Sequence, residues 1–132
     1  MMSHKIIDPN KEDVKTILLV DDDAAVREAI IDILELEGIH VIGAANGEEG
    51  IKRYEQNQDK VRLILLDMSM PGLSGTETFR QLCAVDQEVK IILSSGFGEK
   101  QIASKLQSNN LVGFLPKPYD SNHLIEIVRQ HI

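Results

Sequence analysis

The chain has 132 residues, of which 42% are hydrophobic, and its 14 Lys+Arg against 21 Asp+Glu give a formal charge of -7. That length suits one domain with a real core, burying roughly two-thirds of its unfolded surface, and leaves no room for a second catalytic domain. The lone Cys83 excludes an internal disulfide and a cysteine-based zinc site, and no apolar run nears the roughly 20 residues of a membrane span.

Residues 1–10 are polar, unlike a signal peptide, so a soluble cytoplasmic domain without membrane insertion is expected. The charge is uneven. Residues 1–15 balance three lysines against three acids, and residues 99–132 hold four cations against three acids, so residues 16–98 carry -8. This acidic excess argues against direct nucleic-acid binding, which needs clustered Lys and Arg.

Residues 1–15 mix charges around one Pro with little periodicity and read as a leader or linker remnant ahead of a domain over 16–132. The first apolar run, 17–20, predicts a buried strand. A helical pattern over 24–37 then puts Val26, Ile30, Ile33 and Leu34 on one stripe and is closed by Gly38. The mixed stretch 39–44 suits a strand nearer an edge. Asn46 with Glu49 three residues on reads as a capping box opening a helix to about Gln56. Further strands are expected over 63–66, over 89–93 with only Lys90 interrupting, and over 112–115. Weaker helices are expected over 76–84 and 100–107, and Asp120 caps a last helix with Leu124, Ile127 and Val128 inward. Short unbroken apolar runs alternating with amphipathic stretches define a (βα)5 doubly wound parallel sheet.

In such a sheet, ligands sit beyond the carboxyl ends of the strands. Strand 1 ends in Asp21-Asp22-Asp23, strand 3 in Asp67 followed by Met68-Ser69-Met70-Pro71-Gly72, strand 4 in Ser94-Ser95-Gly96, and strand 5 in Leu115-Pro116-Lys117-Pro118. One rim thus collects carboxylates, hydroxyls and a lysine. Crowded carboxylates repel unless their pKa values rise or a hard divalent cation joins them, and carboxylate, carbonyl and water are the ligands Mg2+ prefers. Such a pocket beside a lysine suits the handling of a phosphoryl group. Helix capping alone needs fewer than three acids in a row, and an ionisable group ending a buried strand is costly without a use. His4, His40, His123 and His131 show no ligand spacing and read as surface groups.

On the segments ILLVDDD (17–23), LILLDMSMPGLSG (63–75), IILSSG (91–96) and GFLPKP (113–118), the chain resembles the receiver domains of two-component response regulators, chemotaxis-regulator-like in type. The resemblance implies the flavodoxin-like strand order 2-1-3-4-5. It also implies that Asp67 is the phosphoacceptor, taking a phosphoryl group from the phosphohistidine of a histidine kinase or a phosphotransfer protein. The metal, Mg2+, would be bound by Asp22, by Asp67, by the backbone carbonyl of Ser69 and, through water, by Asp21, leaving Asp23 as helix cap. Lys117 and the hydroxyl of Ser95 would each take a phosphoryl oxygen, with Ser94 the lesser candidate for the hydroxyl. Ser95 lies 22 residues before Lys117, the family's spacing. Pro71 and Gly75 match the family's turn, and the Lys117–Pro118 bond is expected to be cis.

The same resemblance makes Ser95 and Phe114 the switch residues, remodelling a face of helix 4, strand 5 and helix 5 that meets a downstream protein or a covalently attached module. Phe114 replaces the commoner Tyr, and Phe97 is apolar where many relatives are polar. The domain would be a signalling phosphoprotein and not an enzyme in the usual sense, catalysing only its own phosphorylation and dephosphorylation. Two other functions fit less well. A haloacid-dehalogenase-type phosphatase would use the Asp-x-Asp of residues 21–23 but leave Asp67 and Lys117 idle. A flavodoxin-like FMN carrier would set its phosphate against three acids.

Overall fold

Three of the predicted strands lack polar alternation, and these three occupy the interior of one sheet. The computed structural model describes residues 7–8, 11, 14–69, 74–96 and 108–132. Strands β1 (Lys15–Val20), β2 (Ile39–Ala44), β3 (Val61–Asp67), β4 (Ile91–Ser95) and β5 (Leu111–Pro116) are joined by helices α1 (Ala24–Leu36), α2 (Gly47–Asn57) and α3 (Gly75–Val85), with α4 (Ser121–Arg129) following β5. The sheet is wholly parallel, in the order β2-β1-β3-β4-β5. The flavodoxin-like order is therefore as expected, and Lys15, assigned to the leader, already belongs to β1. The expected helix over 100–107, Phe97 and Pro71 lie outside the described residues.

Because successive side chains of a strand point to opposite faces, the inner strands feed two apolar layers. Ile17, Leu19, Leu63, Leu65 and Ile92 meet Ile30 and Leu34 of α1 and Leu124, Ile127 and Val128 of α4. Leu18, Val20, Ile64, Leu66, Ile91 and Leu93 meet Tyr54 of α2 and Phe79 and Leu82 of α3. Both layers close against a rigid sheet, which fixes the heights of the strand ends.

The helix starts are set by side-chain caps, which satisfy amide groups otherwise left without partners. Asp23, Asn46, Ser74 and Asp120 accept from N–H groups of α1, α2, α3 and α4 respectively. At α2 the capping box is shifted by one residue: Glu49 Oε1 accepts from the N–H of Ala45, not from that of Asn46. Gly38 ends α1 at a φ of +81°, the left-handed conformation for which glycine has no Cβ penalty.

One expected core residue is not in the core. Val26 remains 37% exposed, because the first turn of α1 overhangs the carboxyl edge of the sheet, where it lines a cavity instead. Two acids at the end of α1 have cationic or imidazole partners. Glu35 lies 3.4 Å from His40, and Glu37 accepts from Arg129 of α4 at 2.6 Å. Across the other layer, the buried Tyr54 hydroxyl donates to Asp86 at 2.8 Å.

Gly50 of α2 lies directly against β1: a Cβ there would stand 2.7 Å from Val20 Cγ2, and Val20 is fully buried. Gly50→Ala gains about 1 kcal/mol of helix propensity but overpacks the α2–β1 contact at about 1–3 kcal/mol. The urea midpoint should therefore fall; a raised midpoint would show that β1 yields.

Candidate functional site

Register places the acids. In the β1–β3 ladder Val20 is paired with Leu66, so Asp21 and Asp67 leave adjacent strands at the same height. Both are 3% exposed, whereas Asp22, one residue on, is exposed. A carboxylate oxygen of each of Asp21, Asp22 and Asp67 lies within 4.8 Å of those of the other two. The trio is what the sequence predicted, and oxygen ligands converging at this spacing fit a hard divalent cation.

The surrounding backbone holds the acids still. The Asp21 N–H donates to the Ala44 carbonyl at 3.0 Å, and the Asp23 N–H donates back to Asp21 Oδ1 at 2.9 Å. Asp67 Oδ1 accepts from the Ser69 N–H at 3.0 Å and from Lys117 Nζ at 3.0 Å. Gly75, the first residue of α3, lies directly against the residue after β3: a Cβ there would stand 2.7 Å from Met68 Cα, a backbone atom that cannot move aside. Ser69 is exposed and lines the site, as expected of a residue at this turn.

Strand β4 stands between the acid and the lysine. Ser94 is paired with Asp67, and its carbonyl accepts from the Met68 N–H at 2.9 Å. The Ser95 carbonyl accepts from the Lys117 N–H at 2.8 Å. Both serine side chains are buried. The Lys117–Pro118 bond is cis, as expected. Phe114, paired with Leu93, is half-buried against the α2–α3 layer.

The electrostatics follow from this crowding. Burial, followed by the charges of Asp67 and Asp22, pushes the Asp21 carboxyl up, against the opposing pull of the Asp23 amide and of Lys117. Burial alone would lower Lys117, but its hydrogen bond to Asp67 and the charges of Asp67 and Asp21 hold it above the usual lysine range. A cavity of about 660 Å3 opens from this rim between α1 and the turn after β5.

Two participants carry no sequence signal. Arg27 of α1 donates from Nη1 to the Asp21 carbonyl at 2.7 Å, a contact with a backbone group that no side-chain motif announces. Tyr119 lines the cavity beside Lys117, and its phenol is raised chiefly by burial. It follows the lysine by two residues, yet only the fold turns it into the site.

Fold and site together define a doubly wound α/β domain whose open strand ends carry an acid trio joined to one lysine. The chain belongs to the response regulator receiver domain family, whose family model matches residues 17–129. It is 36% identical over 115 residues to the response regulator UvrY of Escherichia coli, covering 86% of this chain and 52% of that protein. It is 33% identical over 115 residues to the sensor kinase CckA of Brucella abortus, covering 87% of this chain and 12% of that protein. The chain thus spans about half the length of the first relative and about an eighth of the second. Its fold matches a response regulator receiver domain protein from Clostridium thermocellum with a TM-score of 0.85 at 25% identity, covering 90% of this chain and 94% of the other.

A raised carboxyl means that the folded state binds a proton more readily than the unfolded chain, so Asp21 opposes folding above its folded pKa and this opposition is relieved as pH falls through that value. In the absence of divalent cations, Asp21→Asn should raise the melting temperature at pH 7, with the advantage shrinking on acidification. Melting curves from pH 7 to pH 4 check this; an advantage that is flat with pH would remove Asp21 as the source.

Proposed function

We propose that this chain is a cytoplasmic phosphoacceptor switch of a two-component or phosphorelay system, with the domain over 16–132 receiving a phosphoryl group on Asp67. The observation that carries the reading is the 3.0 Å hydrogen bond from Lys117 Nζ to Asp67 Oδ1 inside the carboxylate cluster. It orients a buried acid next to a cation that can follow charge onto an incoming phosphoryl oxygen.

Asp21, Asp22, Asp67 and the carbonyl of Ser69 would hold Mg2+, which when bound supplies charge neutralisation at the phosphoryl oxygens. The chain's own groups do the rest. An Asp67 oxygen forms the new P–O bond as the P–N bond to the donor imidazole breaks, and the imidazole departs with the electron pair. Lys117 stabilises one phosphoryl oxygen and the Ser95 hydroxyl another. Hydrolysis of the acyl phosphate returns Asp67 to its carboxylate.

The output runs through Ser95 and Phe114. Ser95 moves toward the phosphoryl group and Phe114 turns inward, changing the face built from the helix expected over 100–107, β5 and α4. The half-burial of Phe114 beside Leu93 supports this, since a side chain at the rim of the core has two places to go. Partners are a histidine kinase or phosphotransfer protein upstream, and a separate protein or an attached module downstream, without direct nucleic-acid contact. Among the described residues, no helix is long and apolar enough to cross a membrane. A phosphatase with its nucleophile on β1 would leave the Asp67–Lys117 pair without a task, which favours the receiver reading.

Incubation with acetyl phosphate followed by intact mass should show one phosphoryl adduct that requires Mg2+ and is lost in Asp67→Asn. An adduct unchanged by that substitution would move the acceptor elsewhere, and continuous turnover of an added phosphoester would favour the phosphatase.

A further inference from the structure

Among the three clustered acids, Asp22 is held least. Asp21 and Asp67 are buried and each accepts an N–H from the following turn, but Asp22 is exposed and its carboxylate accepts no hydrogen bond among the described residues. Where its oxygen points depends on the peptide plane that precedes it. That plane carries the Asp21 carbonyl, and the Arg27 guanidinium donates to it at 2.7 Å. With the Asp21 N–H already tied to Ala44, residue 21 is fixed at both ends and the approach to Asp22 is set.

Arg27 can do this because β2 makes room. Gly43 faces the arginine stem, and a Cβ there would stand 3.3 Å from Arg27 Cδ and 3.4 Å from Ile31 Cδ1. The half-buried stem therefore lies in a notch with little freedom, and a planar guanidinium held this way loses little entropy on bonding.

We infer that Arg27 is a positioning residue for the divalent-cation site, acting through the Asp21 carbonyl to hold Asp22 in place; the inference rests on the proposed Mg2+ binding by this site. The sign of the effect separates it from a charge effect. Removing a positive group near acids should strengthen cation binding if charge alone mattered, whereas loss of a positioning contact should weaken it. Ion choice separates it from general loosening. Mg2+ demands near-ideal octahedral geometry, while Ca2+ accepts varied geometry.

Calorimetric titration of the full chain with Mg2+ alone and Ca2+ alone tests this, since the absence of Trp removes the simplest fluorescence readout. Arg27→Met should weaken Mg2+ binding about tenfold, the scale of an outer-shell contact, with a smaller change for Ca2+. Arg27→Lys, which keeps a cationic N–H donor, should recover most of the loss. Gly43→Val, which displaces the stem and leaves the charge unchanged, should also weaken Mg2+, and melting curves of all three variants establish that they fold. Unchanged or tighter Mg2+ binding by folded Arg27→Met would overturn the inference, as would equal losses for both ions. Absence of Mg2+ binding by the unmodified chain would instead overturn the site reading, and the inference with it.

Discussion

The hydrogen bond from Lys117 to Asp67 joins two strands that never touch. Strand β4 lies between β3 and β5, so the bond closes over it across 50 residues of chain. On this closure depends the sense of everything else at the rim. Without it, Asp67 would be a buried acid beside two others with no cation bonded to it. With it, Asp67 is tied to a lysine held above its usual range, while burial and the neighbouring charges push Asp21 up. The lysine does not neutralise the rim. Asp21, Asp22, Asp23, Asp67 and Asp120 all line the cavity that Lys117 enters, so the unliganded site stays acidic and suited to a cation.

Crowding of this kind is tolerated because it is confined. The buried polar side chains among the described residues are Thr16, Asp21, Asp67, Thr78, Ser94 and Ser95, and four of these stand at the carboxyl edge. Below them the inner strands are apolar on both faces, with Ile17 to Val20 and Leu63 to Leu66 almost wholly excluded from water. Stability is concentrated in the body of the sheet and electrostatic tension at its end. This separation lets the site be unfavourable by itself in a domain that still folds.

Much of this was legible in the chain, for identifiable reasons. Unbroken apolar runs mark strands covered on both sides, and β1, β3 and β4 bear this out with near-complete burial. Capping residues are local signals, and Asp23, Asn46 and Asp120 work as read. Val26 misled because a helical stripe records rotation about the axis and not height along it: the same stripe that buries Ile30 and Leu34 runs past the edge of the sheet. Arg27 was silent for a different reason. Its partner is a peptide carbonyl, which every residue possesses, so no pairing of residue types could reveal it. Ladder register was equally hidden, yet register is what brings Asp21 and Asp67 level.

The tandem Ser94-Ser95 shows how register and chemistry combine. The resemblance, through the family's spacing to the lysine, singled out Ser95, while pairing in the sheet puts Ser94 opposite Asp67. The backbone gives each serine a separate duty. The Ser94 carbonyl accepts from the Met68 N–H and holds the backbone just after Asp67; the Ser95 carbonyl accepts from the Lys117 N–H and holds the backbone of the lysine. Strand β4 contributes no charge to the site, but consecutive carbonyls of that one strand hold the backbone beside Asp67 on one side and that of Lys117 on the other. A displacement at the end of β4 would therefore alter the geometry of both charged groups together. In the proposed function, a movement of Ser95 would by this route be felt at Asp67 and along β5, where Phe114 lies paired with Leu93.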